Sequence, residues 1–109
     1  MLGRKIFALG MKSGRITDSA ITASSEYNTY TRAAHGRLNK NFSWRPKEDE
    51  HSWIQVDLSY PNNIVGIGTQ GGYGNHKDGW VTSYVVGCGE NNVTINNISA
   101  QNDSEIRFV

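Results

Sequence analysis

The side chains best suited to grip another molecule fall in three short stretches, residues 26–34, 39–52 and 71–79, which carry aromatic or basic residues among small polar ones. Tyr27 and Tyr30 each offer a stiff ring for apolar contact and a hydroxyl for one directed hydrogen bond, and Arg32 stands beside them as a charged donor. That composition suits a sugar ring or a groove on another protein. In Gly71-Gly72-Tyr73-Gly74-Asn75-His76-Lys77-Asp78-Gly79 a glycine-rich turn lifts Tyr73, and the polar Asn75 and Lys77 follow. Acid–base chemistry has candidates too: His35, His51 and His76 as general bases, with Asp49, Asp57 and Asp78 to orient them. Yet there is no nucleophile elbow and no HExxH pair, and the Gly-Gly-Tyr-Gly run lacks the Lys and following Ser or Thr of a phosphate loop. Catalysis is not expected. Lys47-Glu48-Asp49-Glu50-His51 reads as a solvated charged loop. Its carboxylates could meet calcium in principle, but they fit no recognised ligand spacing, and no cofactor is expected.

Loops of this kind need a rigid bed, and the pattern around them is that of short strands. Residues 53–58, Trp-Ile-Gln-Val-Asp-Leu, put alternate side chains on opposite faces, and Pro61-Asn62-Asn63 follows as a turn. Residues 64–69 are β-branched with glycine interspersed and predict a second strand; residues 81–86 predict a third, and 93–95 with Ile98 a weaker fourth. Only residues 31–38 have helical appeal, over too short a run to stand alone. Strands at such intervals suggest a sandwich or barrel. A chain of 109 residues and 12.1 kDa supports one core and no second domain, burying about 65% of its unfolded surface. A net charge of +1 gives no field to steer nucleic acid or membrane, so function must come from a local site.

Cys88 is the single cysteine, which excludes an intrachain disulfide and a structural zinc of the CxxC type. At the N-terminus a basic start leads into six mostly apolar residues, 6–11, that Lys12 ends. That falls short of the roughly 7–15 apolar residues of a secretory signal, and no stretch nears the roughly 18 that span a bilayer. No export signal is visible in the chain.

Read in order, Leu9-Gly10-Met11-Lys12-Ser13-Gly14-Arg15-Ile16, Asp18-Ser19 and Ile21-Thr22-Ala23-Ser24-Ser25-Glu26-Tyr27 resemble the opening of a discoidin domain, the coagulation factor V/VIII type C module. The resemblance continues through Arg37-Leu38-Asn39, Trp44, Trp53-Ile54-Gln55-Val56-Asp57-Leu58, Ile64-Val65-Gly66-Ile67, Thr69-Gln70-Gly71 and Trp80-Val81-Thr82-Ser83-Tyr84. Several motifs in the right order over most of the chain are far more specific than any one alone. The resemblance implies an all-β jelly-roll β-sandwich whose loops at one end project as ligand-binding spikes. By position, residues 26–34 correspond to the first spike and 71–79 to the second. Trp44 and Trp53 are expected to be packed, and Asp57 to serve as a structural partner of a basic residue such as Arg37.

Two departures from the family pattern stand out. The cysteine that many extracellular members carry ahead of the Leu-Gly-Met segment is replaced by Ile6-Phe7-Ala8, and Cys88 matches neither expected position. After Tyr84 the likeness fades, so the reading divides the chain into an extension (1–8), a partial discoidin domain (9–92) and a divergent tail (93–109). A sandwich lacking its last strands would leave sheet edges unpaired. Sequons at Asn41, Asn92, Asn97 and Asn102 would be glycosylation candidates in a secreted protein.

The expectation is therefore a non-catalytic, extracellular or cell-surface adhesion module that recognises a glycan or matrix protein through Tyr27, Tyr30, Arg32, Tyr73, Asn75 and Lys77. Extracellular placement follows from the resemblance alone. The alternatives are a module for anionic phospholipid headgroups, with Arg32, Lys40 and Lys77 around an interfacial tyrosine, and a truncated remnant without binding of its own. Membrane insertion is disfavoured because the spike tips carry tyrosine, glycine and asparagine rather than fully apolar side chains. No nucleic-acid partner is expected.

Overall fold

The computed structural model describes residues 7–48, 50–71, 81, 83–89, 96–97 and 104–108. The alternating segment that opens at Trp53 forms strand β2, Trp53–Val56, with Gln55 and Val56 buried. Its N-terminal neighbour β1, Ile21–Ala23, pairs with it antiparallel, setting Ile21 opposite Val56 and Ala23 opposite Ile54. On the other side lies β5, Ser104–Phe108, in parallel register with Ile106 opposite Ile54 and Phe108 opposite Val56. Strand β3, Tyr84–Cys88, also runs parallel to β5, and β4, Asn96–Asn97, forms the far edge antiparallel to β3. The order is β1-β2-β5-β3-β4. The described residues are thus all-β in class, with two short 3₁₀ turns at Asp18–Ala20 and Ala33–His35.

Because side chains alternate along a strand, this register places Ile21, Ala23, Ile54, Val56 and Phe108 on one face. That face is the core side: Ile16, Ile21, Ala33 and Val56 are buried together, with Met11, Trp44, Ile54 and Phe108 packed against them. Each fully buried aliphatic of this kind contributes roughly 1.5–3 kcal/mol. On the opposite face Arg107 lays its guanidinium over the Trp53 ring, 4.4 Å from the centroid. Trp44 is packed as expected, and its indole Nε1–H donates to the Ser25 carbonyl at 2.9 Å.

A turn through residues 10–16 covers one end of the core. Gly14 and Ile16 both donate their amides to the Gly10 carbonyl, at 3.1 and 3.2 Å. Gly10 has φ +123°, and a Cβ there would collide with Arg15, so only glycine fits. Arg37 ties this turn to the following loop by donating from Nη1 to the Met11 carbonyl and from Nη2 to the Ile16 carbonyl, each at 2.7 Å.

Several expectations are corrected. The carboxylate that meets Arg37 is Asp18, at 2.7 Å, not Asp57. Asp57 instead accepts from the Ser59 amide at 2.9 Å, capping a turn in which Ser59 has φ 69°. Residues 64–69 form no strand: among the described residues they pair with no neighbour, and Gly66 and Gly68 have none of them within reach of a Cβ. The third strand begins at Tyr84 rather than Val81, because its partner β5 extends only to a register opposite Tyr84. Of the expected helical stretch 31–38, only Ala33–His35 winds, as a single 3₁₀ turn. The segment set apart as a tail contributes β5, whose Ile106 and Phe108 alternate with Arg107 in the central strand of the sheet. The fourth strand expected at 93–95 lies outside the described residues.

Candidate functional site

The first loop leaves the sheet at Ser24, whose amide donates to the Trp53 carbonyl at 2.9 Å while its hydroxyl accepts from the Trp53 amide at 3.0 Å. From there the backbone is fastened at nearly every step. The Glu26 carboxylate accepts from the Ala33 amide at 2.6 Å, closing the neck of the loop. Inside the neck, Asn28 Oδ1 accepts from the Tyr30 amide at 2.9 Å and from the Thr31 hydroxyl at 3.1 Å, a local turn that short amide side chains favour. Thr31 is buried beneath it, and its Oγ1 also accepts from the Asn28 amide at 3.0 Å. A neighbouring segment threads alongside: Tyr27 donates to the Arg45 carbonyl at 2.8 Å, and Arg45 to the Thr31 carbonyl at 3.2 Å.

This clamped loop pushes its two rings outward, leaving Tyr27 and Tyr30 each 51% exposed. Neither stands alone. The Arg45 guanidinium lies over the Tyr27 ring, 4.2 Å from its centroid. Phe42 sits 5.8 Å from Tyr30 and 5.4 Å from the His35 ring, so three rings form one tilted cluster. His35 is held by the turn it occupies, where Nδ1 accepts from the Arg32 amide at 3.2 Å. Arg32 itself is exposed at the head of that turn. Residues 26–47 carry five cations, Arg32, Arg37, Lys40, Arg45 and Lys47, against one carboxylate, Glu26. All of these cations but Arg37 are exposed, so the surface combines exposed aromatic faces with positive charge.

Of the six residues expected to bind ligand, Tyr27, Tyr30 and Arg32 lie together on this loop. Tyr73, Asn75 and Lys77 lie outside the described residues, as do Asp49, His76 and Asp78. Sequence reasoning missed Phe42 and Arg45 as parts of the aromatic surface. Their one signal was membership of the 39–52 stretch, since the contacts that recruit them cross 12 and 18 positions of sequence. Among the described residues no three His, Cys, Asp or Glu side chains gather as a metal site, and no helix is long and apolar enough to cross a membrane.

Behind Phe42 a cavity of about 180 Å³ opens between residues 37–43 and 70–71. Its wall is fixed by a reciprocal amide clasp. The Asn39 amide donates to Gln70 Oε1 at 2.8 Å, and Gln70 Nε2 donates back to Asn39 Oδ1 at 3.0 Å. Asn39 reaches this position in the left-handed region, φ 57°, which asparagine tolerates better than most residues.

Comparison with known proteins places this geometry. Residues 20–108 match the F5/8 type C domain, a span that includes all five strands and the clamped loop. The chain is 48% identical to human neuropilin-1 over 66 residues, 59% of this chain and 7% of that protein. It is 42% identical to neuropilin-1 of Xenopus laevis over 88 residues, 77% of the chain and 10% of that protein. With coagulation factor VIII of Sus scrofa the identity is 41% over 81 residues, 72% of the chain and 4% of that protein. The chain therefore spans a tenth or less of the length of these relatives. A match across most of its length, joined to an all-β sheet among the described residues, means that the chain belongs to the F5/8 type C domain family and to its discoidin-like β-sandwich class.

Proposed function

We propose that the chain is a non-catalytic binding module of extracellular or cell-surface proteins, and that it recognises a cell-surface glycan or matrix protein through the 26–34 loop. The observation that carries this reading is the pair of half-exposed rings, Tyr27 and Tyr30, on a loop whose backbone is hydrogen-bonded from neck to tip. A rigid loop loses little conformational freedom when it docks, so the contact area of its rings is not offset by an ordering cost. Phe42 and Arg45 belong to the same surface, and Tyr73, Asn75 and Lys77 are proposed as its second finger. Family membership supports the extracellular setting.

The test is a glycan and matrix-protein array probed with the purified chain and with a Tyr27→Ala/Tyr30→Ala variant. Aromatic anchors of this kind are worth ~2 kcal/mol or more on truncation, about 30-fold in affinity. Equal signal from the variant would overturn the assignment. Exposed Phe42 in a segment with four exposed cations, Arg32, Lys40, Arg45 and Lys47, favours one second reading, an anionic phospholipid headgroup. Pull-down on vesicles with and without anionic lipid separates the two. A remnant without binding of its own would give neither signal, and a missing cooperative unfolding transition would identify it.

A further inference from the structure

We infer that Asn41 is an N-glycosylation site whose glycan stands over the Phe42 and Tyr30 rings as a cover on the proposed binding surface. The site itself follows from residues 41–43 in an extracellular setting, and its effect on binding rests on the reading of the 26–34 loop given above.

Of the four Asn-X-Ser/Thr triplets, those at Asn92 and Asn102 lie outside the described residues, and Asn97 is tied into strand β4 opposite Gly87. Asn41-Phe42-Ser43 is placed otherwise. Residues 38–42 are exposed one after another, around a turn in which Asn39 has φ 57°. They belong to no strand, so a substituent there breaks no ladder hydrogen bond. Among the described residues, neither the Asn41 side chain nor the Ser43 hydroxyl has a hydrogen-bond partner. The triplet thus presents an uncommitted amide nitrogen and, two residues on, an uncommitted hydroxyl, with Phe42 and Trp44 rather than proline at the middle and following positions. The transfer joins that nitrogen to C1 of an oligosaccharide carried on a lipid diphosphate. The C1–O bond breaks, the lipid diphosphate leaves with the electron pair, and the amide gives up one proton.

Position makes the modification a control. Asn41 and Phe42 line the same cavity of about 180 Å³, so the first sugar is attached on the concave face that the Phe42 ring borders. Phe42 is 40% exposed, and its ring centroid lies 5.8 Å from that of Tyr30. The C–H face of a sugar and an exposed ring bury apolar area against one another. The bulk of a hydrated, branched glycan held there also keeps another macromolecule from Tyr30. The surface is open when Asn41 is bare and covered when it is modified.

The test compares the full chain translated behind a cleavable secretory leader with endoplasmic-reticulum microsomes and the same chain from a bacterial host. Product protected from protease inside the microsomes is treated with a glycosidase that leaves aspartate where a glycan was, then mapped by peptide mass spectrometry. Asn41 should be read as aspartate; Ser43→Ala should abolish the conversion and Ser43→Thr should keep it. An unconverted Asn41 in the protected chain would overturn the site. Tyrosine iodination reads the cover without any ligand: labelling of Tyr30 relative to Tyr60, which is 75% exposed beyond β2, should be severalfold lower in the glycosylated chain. Equal relative labelling would overturn the cover. On the glycan and matrix-protein array the glycosylated form should bind severalfold more weakly than the bare one, and equal binding would overturn the control. A modified, shielded chain that binds nothing on the array in either form would overturn the glycan-or-matrix reading and leave the modification site standing.

Discussion

Arg37 is the side chain whose loss should be felt most widely. Its guanidinium is almost fully covered and donates to two backbone carbonyls, Met11 and Ile16, both at 2.7 Å, besides meeting Asp18. Arg37→Ala removes two charge-assisted hydrogen bonds, each worth ~1.5–3 kcal/mol, and strands two carbonyls at the edge of the core. The expected cost is ~3–5 kcal/mol, allowing for some water reaching the vacated space. Asp18→Asn should behave differently. Asp18 is 77% exposed, and an ion pair open to solvent contributes ~0–1 kcal/mol. Arg37→Lys keeps the charge but cannot reproduce the fork that spans two carbonyls, so it should fall between the others. Denaturant unfolding of the four proteins, with the slope checked for constancy, reads these differences directly. A cost below ~1 kcal/mol for Arg37→Ala, or an Asp18→Asn cost as large as that of Arg37→Ala, would refute the assignment of the stabilisation to the carbonyl contacts.

Gly10→Ala should destabilise by well over ~1 kcal/mol, because positive φ and a clash with Arg15 act together; thermal unfolding should show Gly14→Ala, at φ +86° with open space around it, to be the milder change. Gln55 is buried and its Oε1 has no partner among the described residues, so Gln55→Met should be neutral or stabilising by denaturant unfolding. Asn28→Ala removes the local turn under Tyr30, and should lower array binding severalfold while costing only ~1 kcal/mol of stability. Expressed through a secretory host, the chain should carry an N-glycan at the exposed Asn41, detected as a glycosidase-sensitive mass shift that Ser43→Ala abolishes.

What could be read from the sequence was what local pattern encodes. Trp53–Val56 announced itself by alternation and a following turn, and it is the strand that positions the loop through Ser24. Tyr27, Tyr30 and Arg32 could be singled out as candidates because ring, hydroxyl and cation sit within a few residues of one another, and the fold leaves all three exposed on one loop. Residues 64–69 misled because β-branched residues suit a strand only when a partner exists, and none of the described residues pairs with them. Strand β5 had the signal, Ile106 and Phe108 alternating with Arg107, but an asparagine-rich context hid it. Phe42 and Arg45 were invisible as site residues because only the folded chain brings them to Tyr30 and Tyr27. The Arg37 partner was misjudged for a related reason. A guanidinium can pair with any carboxylate in reach, and charge alone does not rank Asp18 above Asp57.

Strand β5 has two neighbours, β2 and β3, and these do not touch one another as strands. Both are made before it during synthesis. Until residues 104–108 leave the ribosome, the earlier described strands form a β1-β2 pair and a separate β3-β4 pair, neither of which is stable in water by itself. The molecule should therefore assemble in one late event, with the first pair waiting about fifty residues of translation for its rivet. During that wait the cell's quality-control machinery would meet the open edges of β2 and β3, and the yield of folded material should depend on how well they are shielded.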